Sequence, residues 1–182
     1  MQKPLWVFGY GSLLWDPGFA YSRAEVARLS GWHRSFCMAS VHYRGTVDAP
    51  GLVLALDRAE YGHCDGLAYE VAPQDTDATL AYLRERELIS YAYLEDWLSL
   101  DLANGSQVRA LAYVINRDHG QYSGALPLEA QARIIAKSHG LRGPNCDYLY
   151  ATTEHLAKLG IADADLAWLS DRVRELRSRA TN

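Results

Sequence analysis

The sequence predicts one α+β domain over residues 1–182. Three observations carry that expectation. Short apolar segments rich in aromatic and β-branched residues, bounded by glycine and proline, recur along the chain up to residue 115. Helical spacing, with a proline start and glycine stops, dominates from residue 127 onward. Strands first and helices later is the order of an α+β domain rather than of alternating βαβ units. No repeat, low-complexity tract or linker interrupts it.

Each element has a local reason. Leu5-Trp6-Val7-Phe8 is a β-type run that stops at Gly9. Residues 32–43 hold aromatic and small apolar side chains without helical spacing, which reads as a strand; Arg44-Gly45 and Ala49-Pro50-Gly51 mark the turn after it. Residues 52–56 and 67–71 read as two further strands. A helix is expected over 75–89, with Asp75 as its N-cap. Residues 91–102 and 108–115 flank Asn104-Gly105, a strong hairpin signal. Pro127 opens a helix to about His139, stopped by Gly140. Asn145 caps another to Leu159, closed by Gly160. The last helix, 163–177, places Leu166, Leu169, Val173 and Leu176 on one core-facing side.

Composition excludes several classes. Hydrophobic residues are 49% and charged residues 22% of the chain, values of an ordinary globular protein. A net charge of −4 argues against a nucleic-acid partner, whose phosphates require a lysine and arginine surface. The only apolar run near the N-terminus, residues 5–8, is shorter than a secretory segment, and no stretch approaches a membrane span. Cys37, Cys64 and Cys146 show neither paired spacing nor a metal-ligand pattern. The expectation is a reduced, cytoplasmic protein with a small-molecule substrate, no membrane or nucleic-acid partner, and no metal or other cofactor. The 12 tyrosines and 5 tryptophans supply apolar bodies with polar tips, suited to lining a pocket and equally to a β-rich core.

Two features point to chemistry. Gly9-Tyr10-Gly11-Ser12-Leu13 follows a strand directly. Its glycines permit a tight turn, and successive backbone N–H groups in such a turn suit an anion such as a carboxylate. A dinucleotide fingerprint would require glycine where Leu14 stands, and Trp15-Asp16-Pro17-Gly18 follows in place of a helix. A plain glycine turn is the alternative. The second feature is Glu87. At about 100° per residue it shares a helix face with Leu80 and Leu83, while Glu85 points about 140° away. A carboxylate on an apolar face is costly to bury unless paired or protonated, and its desolvation suits a general base or acid. The alternative is a structural ion pair with an arginine such as Arg84. The 6 histidines form no metal-binding pair, and no serine or cysteine has a nucleophile motif.

Taken together, the segments resemble the ChaC-type γ-glutamylcyclotransferases. Val7-Phe8-Gly9-Tyr10-Gly11-Ser12-Leu13-Leu14-Trp15 is similar to the family's opening motif. Gly31-Trp32-His33-Arg34-Ser35-Phe36-Cys37, Tyr43-Arg44-Gly45-Thr46 with Pro50-Gly51-Leu52, and Gly66-Leu67-Ala68-Tyr69 resemble its next three blocks. Arg86-Glu87 with Tyr91 resembles the block holding the catalytic glutamate. Ile135-Ala136-Lys137, Gly140, Gly143, Asn145 and Tyr148-Leu149 resemble the last. Ile89-Ser90 stands where family members carry glycine, which predicts a different turn there. The resemblance implies a small mixed β-barrel with flanking helices. It also implies cofactor-free cleavage of glutathione to 5-oxoproline and cysteinylglycine. Glu87 would be the general base and acid, Gly9, Tyr10, Gly11, Ser12 and Leu13 would hold the γ-glutamyl carboxylate, and Tyr148 would donate to the substrate or the developing oxyanion. A cyclotransferase for another γ-glutamyl compound and a non-catalytic binding module of the same fold are the alternatives.

Overall fold

The computed structural model describes residues 3–180. Its first strand, β1 (Leu5–Gly9), is buried at every position, which explains the absence of polar alternation in that run. β1 lies antiparallel to β3 (Gly51–Val71), with Leu5 opposite Val71 and Gly9 opposite Leu67. With β2 (Arg23–Ser40), β4 (Tyr93–Leu102) and β5 (Gln107–Ile115) they form a closed barrel in the order β1-β3-β2-β4-β5. β5 runs parallel to β1 at Val7 and to β3 at Leu56, so the barrel is mixed. Ala55 with Leu56, Ala68 with Tyr69, and Ala110 with Leu111 and Ala112 are buried in succession, so both faces of these strands are covered there.

The chain divides into two compact units, residues 1–34 with 55–119 and residues 35–54 with 120–182; the terminal two residues at each end of the expected 1–182 domain lie outside the described residues. The first unit carries β1, β4, β5 and the adjoining parts of β2 and β3, together with α1 (Thr76–Glu87). Two local differences from expectation matter here. β2 runs from Arg23 to Ser40 rather than over 32–43; residues 23–30, half of them polar, extend it with Ala27 and Leu29 buried. The strands expected at 52–56 and 67–71 are the ends of one 21-residue strand, whose charged middle masks its continuity. The β4–β5 hairpin turns where expected: Gly105 has φ +85°, and Asn104 Oδ1 accepts from the Ser106 N–H at 2.9 Å. Asp75 precedes α1, but its side chain makes no capping bond.

In the second unit α2 (Leu128–Lys137), α3 (Asn145–Lys158) and α4 (Ala164–Ala180) pack against one another. Leu166, Leu169 and Val173 of α4 are buried as the apolar stripe predicts. Gly140 does not stop α2, which ends at Lys137; it belongs instead to β6 (His139–Gly140), paired with β7 (Gly143–Pro144). Asn145 opens α3 but does not cap it. Its fully buried amide spans the backbone of Leu52: Nδ2 donates to the Leu52 carbonyl at 2.7 Å, and the Leu52 N–H donates to Oδ1 at 2.8 Å.

That reciprocal pair gives a first prediction. Asn145→Ala leaves one buried donor and one buried acceptor unsatisfied, and it should cost about 2–4 kcal/mol. Urea unfolding of both proteins measures it; a change under about 0.5 kcal/mol would contradict the assignment.

Candidate active site

The turn that leaves β1 is held by its carbonyl oxygens. The Tyr10 carbonyl accepts from Arg34 Nη1 at 2.8 Å, and the Leu13 carbonyl accepts from the Tyr69 hydroxyl at 2.7 Å. The Gly11 carbonyl accepts from the Leu14 N–H at 2.9 Å, and the Ser12 carbonyl from the Trp15 and Asp16 N–H groups at 3.3 and 3.0 Å. The short 3-10 segment Ser12–Leu14 therefore closes with N–H groups from Leu14 onward. The N–H groups of Gly11, Ser12 and Leu13 stay outside that ladder, as at the start of any helical turn. Tyr10 turns its ring inward, 7% exposed, with its hydroxyl donating to the Tyr113 carbonyl at 2.7 Å.

Gly9 serves this turn by close approach, not by a left-handed conformation. Gly11 has φ −130°, and neither Gly9 nor Gly11 takes a positive φ. A Cβ on Gly9 would meet Tyr69 Cε2 at 3.0 Å and Leu13 Cβ at 3.1 Å. Across the β1–β3 ladder a Cβ on Gly66 would collide with the Gly9 carbonyl and lie 2.9 Å from the Phe8 ring. The Tyr69 ring can reach the Leu13 carbonyl because no side chain stands between them.

Glu87 is the last residue of α1, and the expected helix face is present. Leu83 is fully buried, the Glu87 side chain is 15% exposed, and Glu85 faces solvent. The arginine at Glu87 is not Arg84 but Arg86, whose Nε lies 3.1 Å from Glu87 Oε1. Arg84 points the other way and forks onto Glu95, at 2.8 and 2.9 Å. Arg86 also donates from Nη2 to Ser12 Oγ at 3.0 Å, and from Nη1 to the Asp16 carbonyl at 2.7 Å and the Tyr82 hydroxyl at 2.9 Å. Burial opposes its charge. The Tyr82 hydrogen bond and the Glu87 and Asp16 carboxylates outweigh that and hold its pKa above the ordinary value. Tyr113, 3% exposed, donates to Glu95 Oε2 at 3.3 Å. Its phenol is pushed up by burial first, then by the carboxylates of Glu95 and Glu87.

The first unit thus brings Gly9, Tyr10, Gly11, Ser12 and Leu13 to Glu87, through Arg86. In the turn after α1 neither Ile89 nor Ser90 takes a positive φ. Tyr91 itself takes φ +57° and lies exposed, at a cost of about 1–2 kcal/mol. Tyr148 belongs to the second unit. It is 7% exposed, its hydroxyl oxygen accepts from the Leu54 N–H at 3.3 Å, and the Arg44 guanidinium lies 5.8 Å from its ring centroid. Arg34, Tyr69, Tyr82 and Arg86 as supports of the turn escaped the sequence reading. Arg34, Tyr69 and Arg86 lie in motif blocks, but nothing local says what they bond.

Comparison with known proteins identifies the family. The chain belongs to the ChaC-like proteins, whose family model matches residues 5–176. It is 36% identical over 175 residues to the glutathione-specific gamma-glutamylcyclotransferase of Escherichia coli K12, covering 96% of this chain and 75% of that one. It is 34% identical over 182 residues to gamma-glutamylcyclotransferase 2-3 of Arabidopsis thaliana (97% and 92% covered). It is 35% identical over 175 residues to human glutathione-specific gamma-glutamylcyclotransferase 1 (94% and 79%). In fold it matches the crystal structure of the yeast gamma-glutamyl cyclotransferase specific to glutathione, with a TM-score of 0.87 at 23% identity, covering 97% and 98% of the two chains.

The Arg84–Glu95 fork makes stability depend on pH. The hydrogen bond from Arg84 holds the Glu95 carboxyl below its ordinary value of 4.5; burial opposes this, and Tyr113 adds to it. A depressed folded-state pKa contributes stability that is present above the unfolded value and lost as pH falls through the folded one. Glu95→Gln should therefore flatten the fall in melting temperature as pH drops below 4.5. An identical acid limb in both proteins would contradict this.

Proposed function

We propose that this chain is a γ-glutamylcyclotransferase that cleaves glutathione to 5-oxoproline and cysteinylglycine. The observation that carries the reading is the pairing of a turn with saturated carbonyls and an enclosed glutamate, joined through Arg86. The printed activities of the bacterial, plant and human relatives support it. The family match runs through both units, which favours treating residues 1–182 as one functional domain. Three buried thiols, none in a disulfide, suit a reducing compartment such as the cytoplasm. Among the described residues, no helix is long and apolar enough to cross a membrane.

The chemistry is an intramolecular acyl transfer. The α-amine of the γ-glutamyl group attacks its own γ-carbonyl, a five-membered lactam forms, and the amide bond to the cysteine nitrogen breaks. Attack within one molecule has a high effective molarity once the chain is folded back. The N–H groups of Gly11, Ser12 and Leu13 hold the α-carboxylate and fix that fold-back, and Gly9 and Tyr10 anchor the turn. The attacking nitrogen arrives largely as ammonium, since a peptide α-amine has a pKa near 7.7–8.0. Glu87, beside Arg86, takes a proton from the ammonium before attack and passes it to the departing cysteine nitrogen; the second proton, released as the attacking nitrogen becomes the lactam N–H, goes to the same nitrogen, which departs as the dipeptide's ammonium. Tyr148 is the proposed donor to the substrate or the oxyanion. No step calls on a metal or another cofactor, and the partner is a small molecule rather than nucleic acid or membrane.

Glu87→Gln keeps an oxygen for Arg86 Nε but cannot take the ammonium proton. Its kcat for 5-oxoproline release from glutathione should fall about 10²–10⁴-fold with the fold intact. Glu85→Gln changes a solvated surface group and should stay within about 0.5 kcal/mol in stability, at unchanged turnover. Turnover numbers and melting temperatures for the two variants check this. An inactive Glu85→Gln beside an active Glu87→Gln would overturn the assignment.

A further inference from the structure

We propose that Arg86 is a positioning residue for the reaction: one guanidinium fixes the Glu87 carboxylate against the turn that receives the substrate carboxylate. This rests on the function proposed above. Each nitrogen of the guanidinium has a different task. Nε faces Glu87 Oε1 at 3.1 Å, and Nη2 donates to Ser12 Oγ at 3.0 Å. Nη1 donates to the Asp16 carbonyl at 2.7 Å and the Tyr82 hydroxyl at 2.9 Å. The side chain is only 12% exposed, and its bonds to Ser12 and Tyr82 are partly buried. Because the group is planar, the spacing between its nitrogens is rigid, and it sets the distance from the turn to the base. The far end of the turn is seated on the same helix. Gly18, at φ +74°, lies against the Tyr82 hydroxyl so closely that a Cβ there would overlap it.

A lysine could keep a positive charge near Glu87 but presents one nitrogen, so it cannot reach Ser12, Asp16 and Glu87 together. The groups facing Glu87 determine what loss of the charge would do. They include Arg86, with Tyr82 behind it on α1, and Tyr113 on β5, which is itself bonded to Glu95 on β4. Asp16 lies 3.8 Å from Arg86 on the far side, and Arg84 is engaged by Glu95. Removing the Arg86 cation takes away the positive charge 3.1 Å from Glu87 Oε1, and loss of a neighbouring cation favours the protonated carboxyl.

The test uses the full chain with glutathione as substrate. It compares kcat and KM across pH for wild type, Arg86→Lys and Arg86→Met, with melting temperatures alongside. Arg86→Lys should raise KM about tenfold and leave the acid limb of kcat in place, because charge is kept and spacing is lost. Arg86→Met should lower kcat at neutral pH about 10²-fold and move the acid limb up by about one to two pH units. On a Glu87→Gln background, Arg86→Met should reduce kcat little further, since both changes remove the same proton acceptor. A folded Arg86→Met with wild-type kcat, KM and acid limb would overturn the inference. So would a loss that follows the unfolded fraction while the acid limb stays still. An inactive wild-type protein would overturn the underlying function itself. An active wild type with an inactive Glu87→Gln and ordinary Arg86 variants would overturn the role of Arg86 alone.

Discussion

Arg34, Tyr69 and Arg86 donate to the carbonyl oxygens of Tyr10, Leu13 and Asp16, and the turn after β1 owes its conformation to those three bonds. Each donor comes from a different element: Arg34 from β2, Tyr69 from β3 and Arg86 from α1. The barrel sets the positions of the first two, and the short loop from β3 into α1 sets the third. With the carbonyls of residues 10–13 all engaged, those peptide planes cannot rotate without breaking a hydrogen bond, so their N–H groups keep one direction. Preorganised donors of this kind need no rearrangement when an anion arrives. The close approaches at Gly9 and Gly66 follow from the same constraint. A side chain at either position would separate the Tyr69 ring from the Leu13 carbonyl or β3 from the Gly9 carbonyl.

Charge sorting around α1 depends on helix periodicity. Arg84, Glu85, Arg86 and Glu87 are consecutive, yet they divide between an exposed side and an enclosed one. Arg84 neutralises Glu95, so that carboxylate neither repels Glu87 nor competes for Arg86. Arg86 is left with Glu87, Ser12, Asp16 and Tyr82, and its charge persists through burial because those partners oppose desolvation. Exposed ion pairs elsewhere, such as Lys158–Glu154, add little to stability. The enclosed pair at Glu87 instead fixes where the carboxylate sits.

Much of this was legible in the sequence, and the reason is locality. The enclosed face of α1 follows from residues three and four apart, so Glu87 separates from Glu85 without a structure. The Asn104-Gly105 hairpin and the α4 stripe are equally local. The α+β class and mixed barrel follow from motif order and from the resemblance to a known family. What stayed hidden depends on partners far apart in sequence. Ser12 and Arg86 are 74 positions apart, and Asn145 and Leu52 are 93 apart. Nothing near Asn145 indicates that its amide spans a strand backbone rather than capping α3. Arg84 and Arg86 are equally plausible partners for Glu87 until Glu95 on β4 claims the first. The continuous β3 was read as two strands because a strand half exposed to water carries charges that look like a loop. Gly11 lies in the turn that the motif predicts, at φ −130° rather than at a positive φ.

The account rests on an internal nucleophile, and that claim can be measured directly in isotopically labelled water. Glutathione is incubated with the protein, and the acyl product is identified by mass. Attack by the substrate's own amine predicts 5-oxoproline whose carbonyl oxygens all derive from glutathione, with no oxygen from the solvent. Glutamate carrying a labelled oxygen in its γ-carboxylate would mean that water attacks, and it would contradict the account.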